Sequence, residues 1–346
     1  MRIIRPLVLI SGALASSHIS VAFHPTDFET PLEVIAFGSC NRQTLPQPMW
    51  PVIAKNQPDL WIWGGDNVYG DSKDAAVIEA KYQQQLDQPN YAAFRQQFPI
   101  LATWDDHDYG WNDADSTYPL KAVTQTLALD FTGVPADDPR RQREGIYGAY
   151  DFGPVDKRVK VILLDNRYFS DHRKAENPQL LGAAQRAWLA DTLRESTAQI
   201  NILVSGTQII SEEHNYEKWA NFPTDRAWLL KLIRAEAIPG VICISGDRHI
   251  HEISVLQETD APYPLVDITS SGLTHSWENF RGEPNRHRVG EVFKELGFGT
   301  LTIDWDSQPV TITADIRNRS NQVVNTQRIE LSQLVAGLTP TKEETQ

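Results

Sequence analysis

Residues 61–71, W-I-W-G-G-D-N-V-Y-G-D, constrain this chain more than any other stretch. Leu60, Trp61, Ile62 and Trp63 read as a buried strand, and Gly64 and Gly65 end it and release Asp66. Tyr69, three residues on, can fold back towards the same point. Parallel α/β sheets present reactive side chains beyond the carboxyl ends of their strands, in a crevice. Three other apolar runs end in a similar payload: F-G-S-C-N at 37–41, W-D-D-H-D at 104–108 and S-G-D-R-H at 245–249. One acidic strand exit is an ordinary turn. Four polar exits point to one site assembled by the fold.

In chain order, a first strand covers 34–38, and a short helix follows with Pro46 and Pro48 suited to its first turn. After the central strand the pattern predicts helix over 73–98, broken at Gln88-Pro89-Asn90. Ile100-Leu101-Ala102 then leads into W-D-D-H-D, and 118–131 reads as helix. Two β runs, 146–152 and 159–164, deliver Asp165-Asn166-Arg167. A helix over 182–194 places Ala184, Trp188, Leu189 and Leu193 on one face. Strands at 200–204 and 241–244 bracket a helix at 224–235. Beyond 250 the pattern turns to β, at 252–256, 265–269, 298–305, 309–316 and 322–330. Alternating strands and helices followed by hairpins predict an α/β chain of two stacked sheets flanked by helices. No repeat or linker divides it, so one domain over 23–335 is expected.

The chain begins M-R-I-I-R, continues apolar from Pro6, and reaches Ser20-Val21-Ala22 before Phe23. That is the order of a cleaved secretory signal, residues 1–22, and it predicts a secreted or periplasmic protein. The polar end, 336–346, reads as a tail. No later run is apolar enough to span a bilayer. Loss of Arg2 and Arg5 with the leader takes the formal charge from −13 to −15. Such a surface argues against binding a nucleic-acid backbone. A phosphorylated substrate stays compatible if bound metal supplies positive charge. Cys40 and Cys243 are the only cysteines. Export invites a disulfide between them, but Cys243 lies in an apolar run and Cys40 at a polar strand exit, which favours a metal role for Cys40.

The strand ends together offer Cys40, Asp66, Tyr69, Asp105, Asp106, His107, Asp108, Asn112, Asp165, Arg167, Asp247, His249 and His251. Carboxylates this dense need cations, since like charges close together resist common ionisation. Mixed sulfur, nitrogen and oxygen donors suit a transition metal, and a carboxylate-rich lobe suits Ca²⁺ or Mg²⁺. A two-metal hydrolase would use one carboxylate as a bridge and a metal-bound hydroxide as nucleophile. His251 reads as structural, His172 and His214 as surface loop residues, and His275 as either pocket rim or loop. Trp61, Trp63 and Trp104 read as core.

G-S-C, G-D-N-V-Y, W-D-D-H-D, L-D-N-R and S-G-D-R-H, in this order, resemble the PhoD-type alkaline phosphatases of the calcineurin-like metallophosphoesterase superfamily. The resemblance runs from about Val34 to Gly272 and takes in Ser270-Ser271-Gly272. It implies a four-layer α/β/β/α sandwich of two mixed sheets and a monomer acting on a small phosphorylated substrate, monoester or diester. It also implies an iron(III) site of Cys40, Asp66, Tyr69 and His249. A Ca²⁺ side follows from Asp66 as bridge, Asp247, and one or both of Asp105 and Asp106. His107 matches the superfamily histidine near the leaving group, with Asp108 orienting it and Arg167 holding a phosphate oxygen. Asn112 is a possible outer contact. The superfamily's aspartate-histidine start is replaced by Cys40, and a second carboxylate by Tyr69, as is characteristic of this branch. Its separate metal-binding histidine has no clear counterpart, Gln208 being a weak one. Longer family members carry an extra β domain before the catalytic core.

Two rival functions differ in class. A metallohydrolase of non-phosphate esters would carry more histidine and an H-x-H-x-D run. A non-catalytic Ca²⁺-binding module would space its carboxylates along one loop, whereas these spread over about 180 residues, a separation only a fold can close. No G-x-S-x-G elbow supports a serine hydrolase.

Overall fold

The computed structural model describes residues 24–257 and 262–335. The expected leader, 1–22, and tail, 336–346, lie outside the described residues.

Among the described residues, thirteen strands form two mixed sheets. In chain order they are β1 (Val34–Gly38), β2 (Leu60–Gly64), β3 (Ile100–Thr103), β4 (Gly148–Phe152), β5 (Val159–Leu163), β6 (Ile200–Ser205), β7 (Val241–Ser245), β8 (His251–Leu256), β9 (Leu265–Ser270), β10 (Arg288–Phe293), β11 (Gly297–Asp304), β12 (Thr311–Asn318) and β13 (Val323–Glu330). The first sheet runs β13-β12-β11-β1-β2-β3, and the second β10-β8-β9-β7-β6-β5-β4. Its parallel core, β1-β2-β3, faces that of the second, β5-β6-β7-β9. A parallel bridge between Ser39 and Ser271 ties the two sheets together beyond the ends of β1 and β9.

The layering follows from the two-residue period of a strand. Ile35, Phe37, Leu60 and Ile62 join the cluster that includes Val161, Ile202, Val204, Ile242 and Ile244 of the second sheet. That cluster continues to Leu189 and Leu193 of α6 (Gly182–Arg194) and Leu229 and Ile233 of α7 (Pro223–Ala235). The intervening residues Ala36, Trp61 and Trp63 point the other way, into a second cluster. There they meet the helices α1 (Trp50–Ala54), α2 (Ala75–Leu86), α3 (Pro89–Arg95) and α5 (Lys121–Phe131). Trp50 packs edge-to-face on Trp61 and Trp63, with ring centroids 5.2 and 5.1 Å apart. A strand buried on both faces explains why residues 60–63 carry no polar alternation. Two sheets between two helical layers match the expected α/β/β/α sandwich.

Several details differ from the sequence reading. The helix expected from 118 starts at Lys121, because Pro119 disfavours helical torsions at Tyr118. Pro46 and Pro48 precede the first helix, whose first turn holds Pro51 instead. β12 begins at Thr311, two residues late, after Pro309, which has no amide for the ladder. β10 escaped detection; its residues are half-buried or exposed. On α6 the buried face is turned by one position. Gln185 is buried, while Ala184 is exposed and Trp188 only partly covered. Gln185 spans the end of β5, accepting from the Asp165 amide at 2.8 Å and donating to its carbonyl at 2.7 Å.

Candidate metal centre

Every strand of the two parallel cores exits towards the same edge. Cys40 follows β1, Asp66 β2, Asp105 β3, Asp165 β5, Asp247 β7 and Ser271 β9. The backbone there is unusual. Cys40, Asp66, Asp71, Asp113, Asp247 and His249 all have positive φ, between 43° and 69°. Such torsions cost a residue with a Cβ about 1–2 kcal/mol, and strain of this kind collects where function demands a fixed side-chain direction. Here it turns each donor inward.

One donor group gathers on Asp66. Its Oδ2 lies 3.3 Å from Cys40 Sγ and 3.3 Å from Tyr69 Oη. Tyr69 Oη is 3.1 Å from His249 Nε2. Donors held roughly 2.0–2.3 Å from one ion are separated by about these distances. Burial, then the Asp66 charge, pushes the Cys40 thiol and the Tyr69 phenol well above their ordinary ranges. Burial, with the charge on His107, lowers His249 to about 4, so its ring is neutral and able to ligate. Ser271 Oγ lies 2.9 Å from Cys40 Sγ and accepts from the His249 amide at 2.7 Å. Both cysteines are free and buried, so the disulfide alternative does not hold here.

A second group is built of carboxylates. Asp105, Asp106 and Asp247 bring oxygens within 4.8 Å of one another, and Asp106 also meets Asp66 and His107. Burial lifts Asp105 to about 7 against the pull of Arg167, and burial and Asp106 lift Asp247 to about 7. Asp106, despite burial, is held below the usual carboxylate range by Arg167, His107 and the Asp113 amide. Asp105 Oδ2 is buried and takes no hydrogen bond from any described residue. Bare buried carboxylate oxygens are costly unless a cation meets them. The residues therefore fit a metal pair: Asp66 belongs to the Cys40–His249 group and also meets Asp106, which belongs to the carboxylate group. Gly206 makes room for this: a Cβ there would stand 2.5 Å from Asp105 Oδ1.

The remaining expected residues are placed differently from one another. His107 stands beside Asp66 and lines a cleft of about 440 Å³ with Asp106, Asp247 and His249. Asn112 is exposed on that cleft's wall. Asp108 does not touch His107. Its oxygens accept from the amides of Asn67, Val68 and Asp105, at 2.8, 3.0 and 3.0 Å. Asp71 bonds His107 instead, 2.6 Å from Nδ1. Burial opposes protonation of His107, but Asp66, Asp71 and Asp106 outweigh it and raise the imidazole to about 10. Arg167 lies behind the carboxylates, 2% exposed, 2.6 Å from Asp105 Oδ1 and 2.7 Å from Glu217 Oε2. In this geometry it neutralises those acids and does not line the cleft. Asp165 likewise serves the loop, accepting from Trp104 Nε1 and from the amides of Ile146, Arg167 and Tyr168.

Sequence reasoning missed Asp71, Asp113 and Glu217, and left His275 undecided. Glu217 groups with Asp106 and Asp113. His275 Nε2 is 2.9 Å from Tyr69 Oη. Only Asp71, inside the G-D-N-V-Y-G-D run, carried a signal in the sequence; Glu217 sits in a segment without periodicity. His214 is buried, not a surface residue, and Gln208 turns away to Glu252 and Thr269, both at 2.7 Å. His251 is fully buried, as a structural residue should be.

Two stacked mixed sheets carry candidate metal-ligating side chains along one edge, the arrangement of a metallophosphoesterase-like α/β sandwich. A profile of PhoD-like phosphatases matches residues 35–289, and the chain belongs to that family. Alkaline phosphatase D of Bacillus subtilis (strain 168) is 24% identical over 250 residues, a match covering 62% of this chain and 42% of that protein. The chain thus spans under half the length of this curated relative. The solved structure of PhoD superposes with a TM-score of 0.71 at 17% identity, covering 93% of this chain and 74% of that one. A dimetal phosphatase from Danio rerio shares the fold with a TM-score of 0.53 at 11% identity, covering 87% and 99%. Among the described residues no helix is long and apolar enough to cross a membrane.

Proposed function

We propose that the chain is an exported, metal-dependent hydrolase of phosphoric esters, acting as a monomer through one domain spanning 23–335. The observation that carries this reading is Asp66, which belongs both to the Cys40–His249 donors and to the Asp106–His107 group. A shared carboxylate is the bridging element of a two-cation centre. We assign iron(III) to Cys40, Asp66, Tyr69 and His249, since thiolate and phenolate together suit a trivalent ion. Ca²⁺ is assigned to Asp66, Asp105, Asp106 and Asp247, an all-oxygen set. When bound, such a pair supplies Lewis acidity to a phosphoryl oxygen and activates water.

The chain's own groups then divide the work. Asp71 holds His107 by Nδ1, which leaves Nε2 to hand a proton to the departing ester oxygen. Arg167 keeps Asp105 aligned and balances the buried charge. Strained backbone at Cys40, Asp66, Asp247 and His249 fixes the donors before any ligand arrives. Export rests on the basic start, apolar run and Ser20-Val21-Ala22 exit. Secreted protein should begin near Phe23, and cytoplasmic protein that keeps Met1 would refute that part.

The test of the whole reading is metal analysis of protein purified without added metal, paired with monoester and diester assays. Native protein should carry both ions and hydrolyse one or both ester types. Asp66→Asn should stay folded and lose both metal and activity. Full activity after chelation, or in Asp66→Asn, would reject a two-cation hydrolase.

A further inference from the structure

Tyr216 is half exposed, at 46%, and is the only aromatic ring among the exposed large hydrophobic side chains of the described residues. It lines the same cleft as Asp66, Asp106, His107 and His249. The ring is not loose. Trp277 meets it edge-on at 5.6 Å and 76°, and the Arg248 guanidinium lies 4.4 Å over it. Both neighbours are fixed in turn. The Trp277 amide donates to the carbonyl of His249 at 2.7 Å, and its ring packs on Phe280 at 5.2 Å. Arg248 pairs with Glu283. The Lys218 ammonium donates to the carbonyls of His214 and Tyr216, at 2.6 and 3.1 Å, and holds the loop beneath the ring.

A surface that leaves one large ring half uncovered, braced by Arg248 and Trp277, and next to the candidate metal centre is arranged to meet another flat group. The rest of the cleft is charged, with Asp113, Arg173 and Glu217 among its walls. Tyr216 and Trp277 are therefore the part suited to the organic half of a substrate, while the donor groups face the phosphoryl half. We propose that Tyr216, backed by Trp277, forms a subsite for an aromatic ring carried on the alcohol portion of the phosphate ester. The natural substrate class is then a phosphoric ester with a planar ring near the phosphorus, not a short polyol phosphate. This inference rests on the ester-hydrolase reading above.

The test varies the ring while holding leaving-group chemistry constant. Ethyl phosphate, 2-phenylethyl phosphate and 2-cyclohexylethyl phosphate are compared on native enzyme, Tyr216→Ala and Tyr216→Phe. Aromatic pairs are worth enough for about a three- to tenfold preference. Native enzyme should therefore favour the phenylethyl ester over the ethyl ester by at least that factor in kcat/KM, chiefly through KM, and over the cyclohexyl ester too. Tyr216→Ala should bring the ratio near one, and Tyr216→Phe should keep it. Equal kcat/KM for the phenyl and ethyl esters, or a preference surviving Tyr216→Ala, would overturn the subsite. A cyclohexyl ester as good as the phenyl ester would overturn the requirement for a flat ring. Failure to hydrolyse any ester would instead reject the hydrolase reading, and the subsite with it.

Discussion

His107 Nδ1 lies 2.6 Å from Asp71 Oδ1, while Asp108, its neighbour in the chain, faces away from it. Residues 106–109 form a single helical turn, α4. Consecutive side chains on a helix point about 100° apart, so Asp108 is carried round to the Asn67 and Val68 amides. Asp71 arrives from the loop after β2, with φ at 43°.

This separates two carboxylates by task. Asp71→Asn should slow hydrolysis of unactivated alkyl phosphates about ten- to a hundredfold, as loss of a carboxylate partner to an active-site histidine does. Activated aryl phosphates, which need little proton donation, should suffer less. Thermal stability should hardly change, because Asp71 is partly exposed. Asp108→Ala strands three buried amides, each costing about 1–3 kcal/mol, so it should lower the melting temperature sharply. The opposite pattern in kinetics and melting would return the orienting role to Asp108.

Most of the fold was legible because apolar runs and glycines mark strands ending in chemistry. Residues 60–63 and 241–244 are buried on both faces and appear as plain hydrophobic runs, and Val159–Leu163 departs from that only at the half-buried Lys160. Residues just beyond strand ends, such as Cys40, Asp66 and Asp247, could be placed at one edge of the fold from position alone. What escaped came from long loops, where neither period applies. Glu217 and His275 reach the site from irregular segments, Glu217 onto Arg167 and His275 onto Tyr69. Direction was also hidden. Arg167 looked like a free anion binder, and only the fold reveals Asp105 and Glu217 on its guanidinium.

Gln185 offers a test of the loop that carries Arg167. Its side chain bonds both the amide and carbonyl of Asp165, deep in the molecule. Gln185→Leu keeps the bulk but leaves two buried backbone groups unpaired. A loss of about 2–4 kcal/mol in urea unfolding is expected. Metal content should persist, since no ligand is touched. A neutral substitution would mean that the end of β5 finds other partners.

His214 predicts acid sensitivity. Burial, then the charges of Arg248, Lys218 and Arg288, lower its imidazole to about 2. The folded state therefore holds His214 neutral, while the unfolded chain binds a proton below about pH 6.5. Stability is present in full above that value and falls as the pH drops below it. Between about pH 7.5 and 5.5 this group should account for about 1 kcal/mol. His214→Asn keeps an acceptor for the Tyr216 amide, which Nδ1 meets at 3.2 Å, and removes the titration. Urea midpoints should then depend less on pH. An unchanged slope would show that His214 reaches solvent on protonation without cost.

Gly206→Ala should distinguish the two halves of the centre. The new methyl would press on Asp105 Oδ1 at 2.5 Å and its Cγ at 2.7 Å. Arg167 holds that same oxygen at 2.6 Å and the Gly206 amide is itself tied to Asn166 Oδ1 at 3.0 Å, so neither side is free to give way. On the assignment proposed above, calcium content and activity should fall, while iron at the Cys40, Tyr69 and His249 side remains. Loss of both ions together would mean that Asp105 supports the whole centre.

The last prediction concerns colour. Cys40 and Tyr69 are buried beside Asp66, which keeps both protonated in the protein alone. A strongly charged ion is needed to ionise thiol and phenol side by side, and iron(III) is the assignment proposed above. Thiolate and phenolate on such an ion give ligand-to-metal charge transfer in visible light, so concentrated native protein should be coloured. Tyr69→Phe keeps the ring that lies 4.1 Å from His107 and removes only the oxygen. It should shift or abolish the band with little change in melting temperature. Cys40→Ser should lower iron occupancy, because an alcohol ionises far less readily than a thiol. Both measurements need only an absorption spectrum and metal analysis. A colourless, active enzyme without iron would defeat the assignment, and Tyr69 would then serve Asp66 and His275 as a hydrogen-bonding phenol.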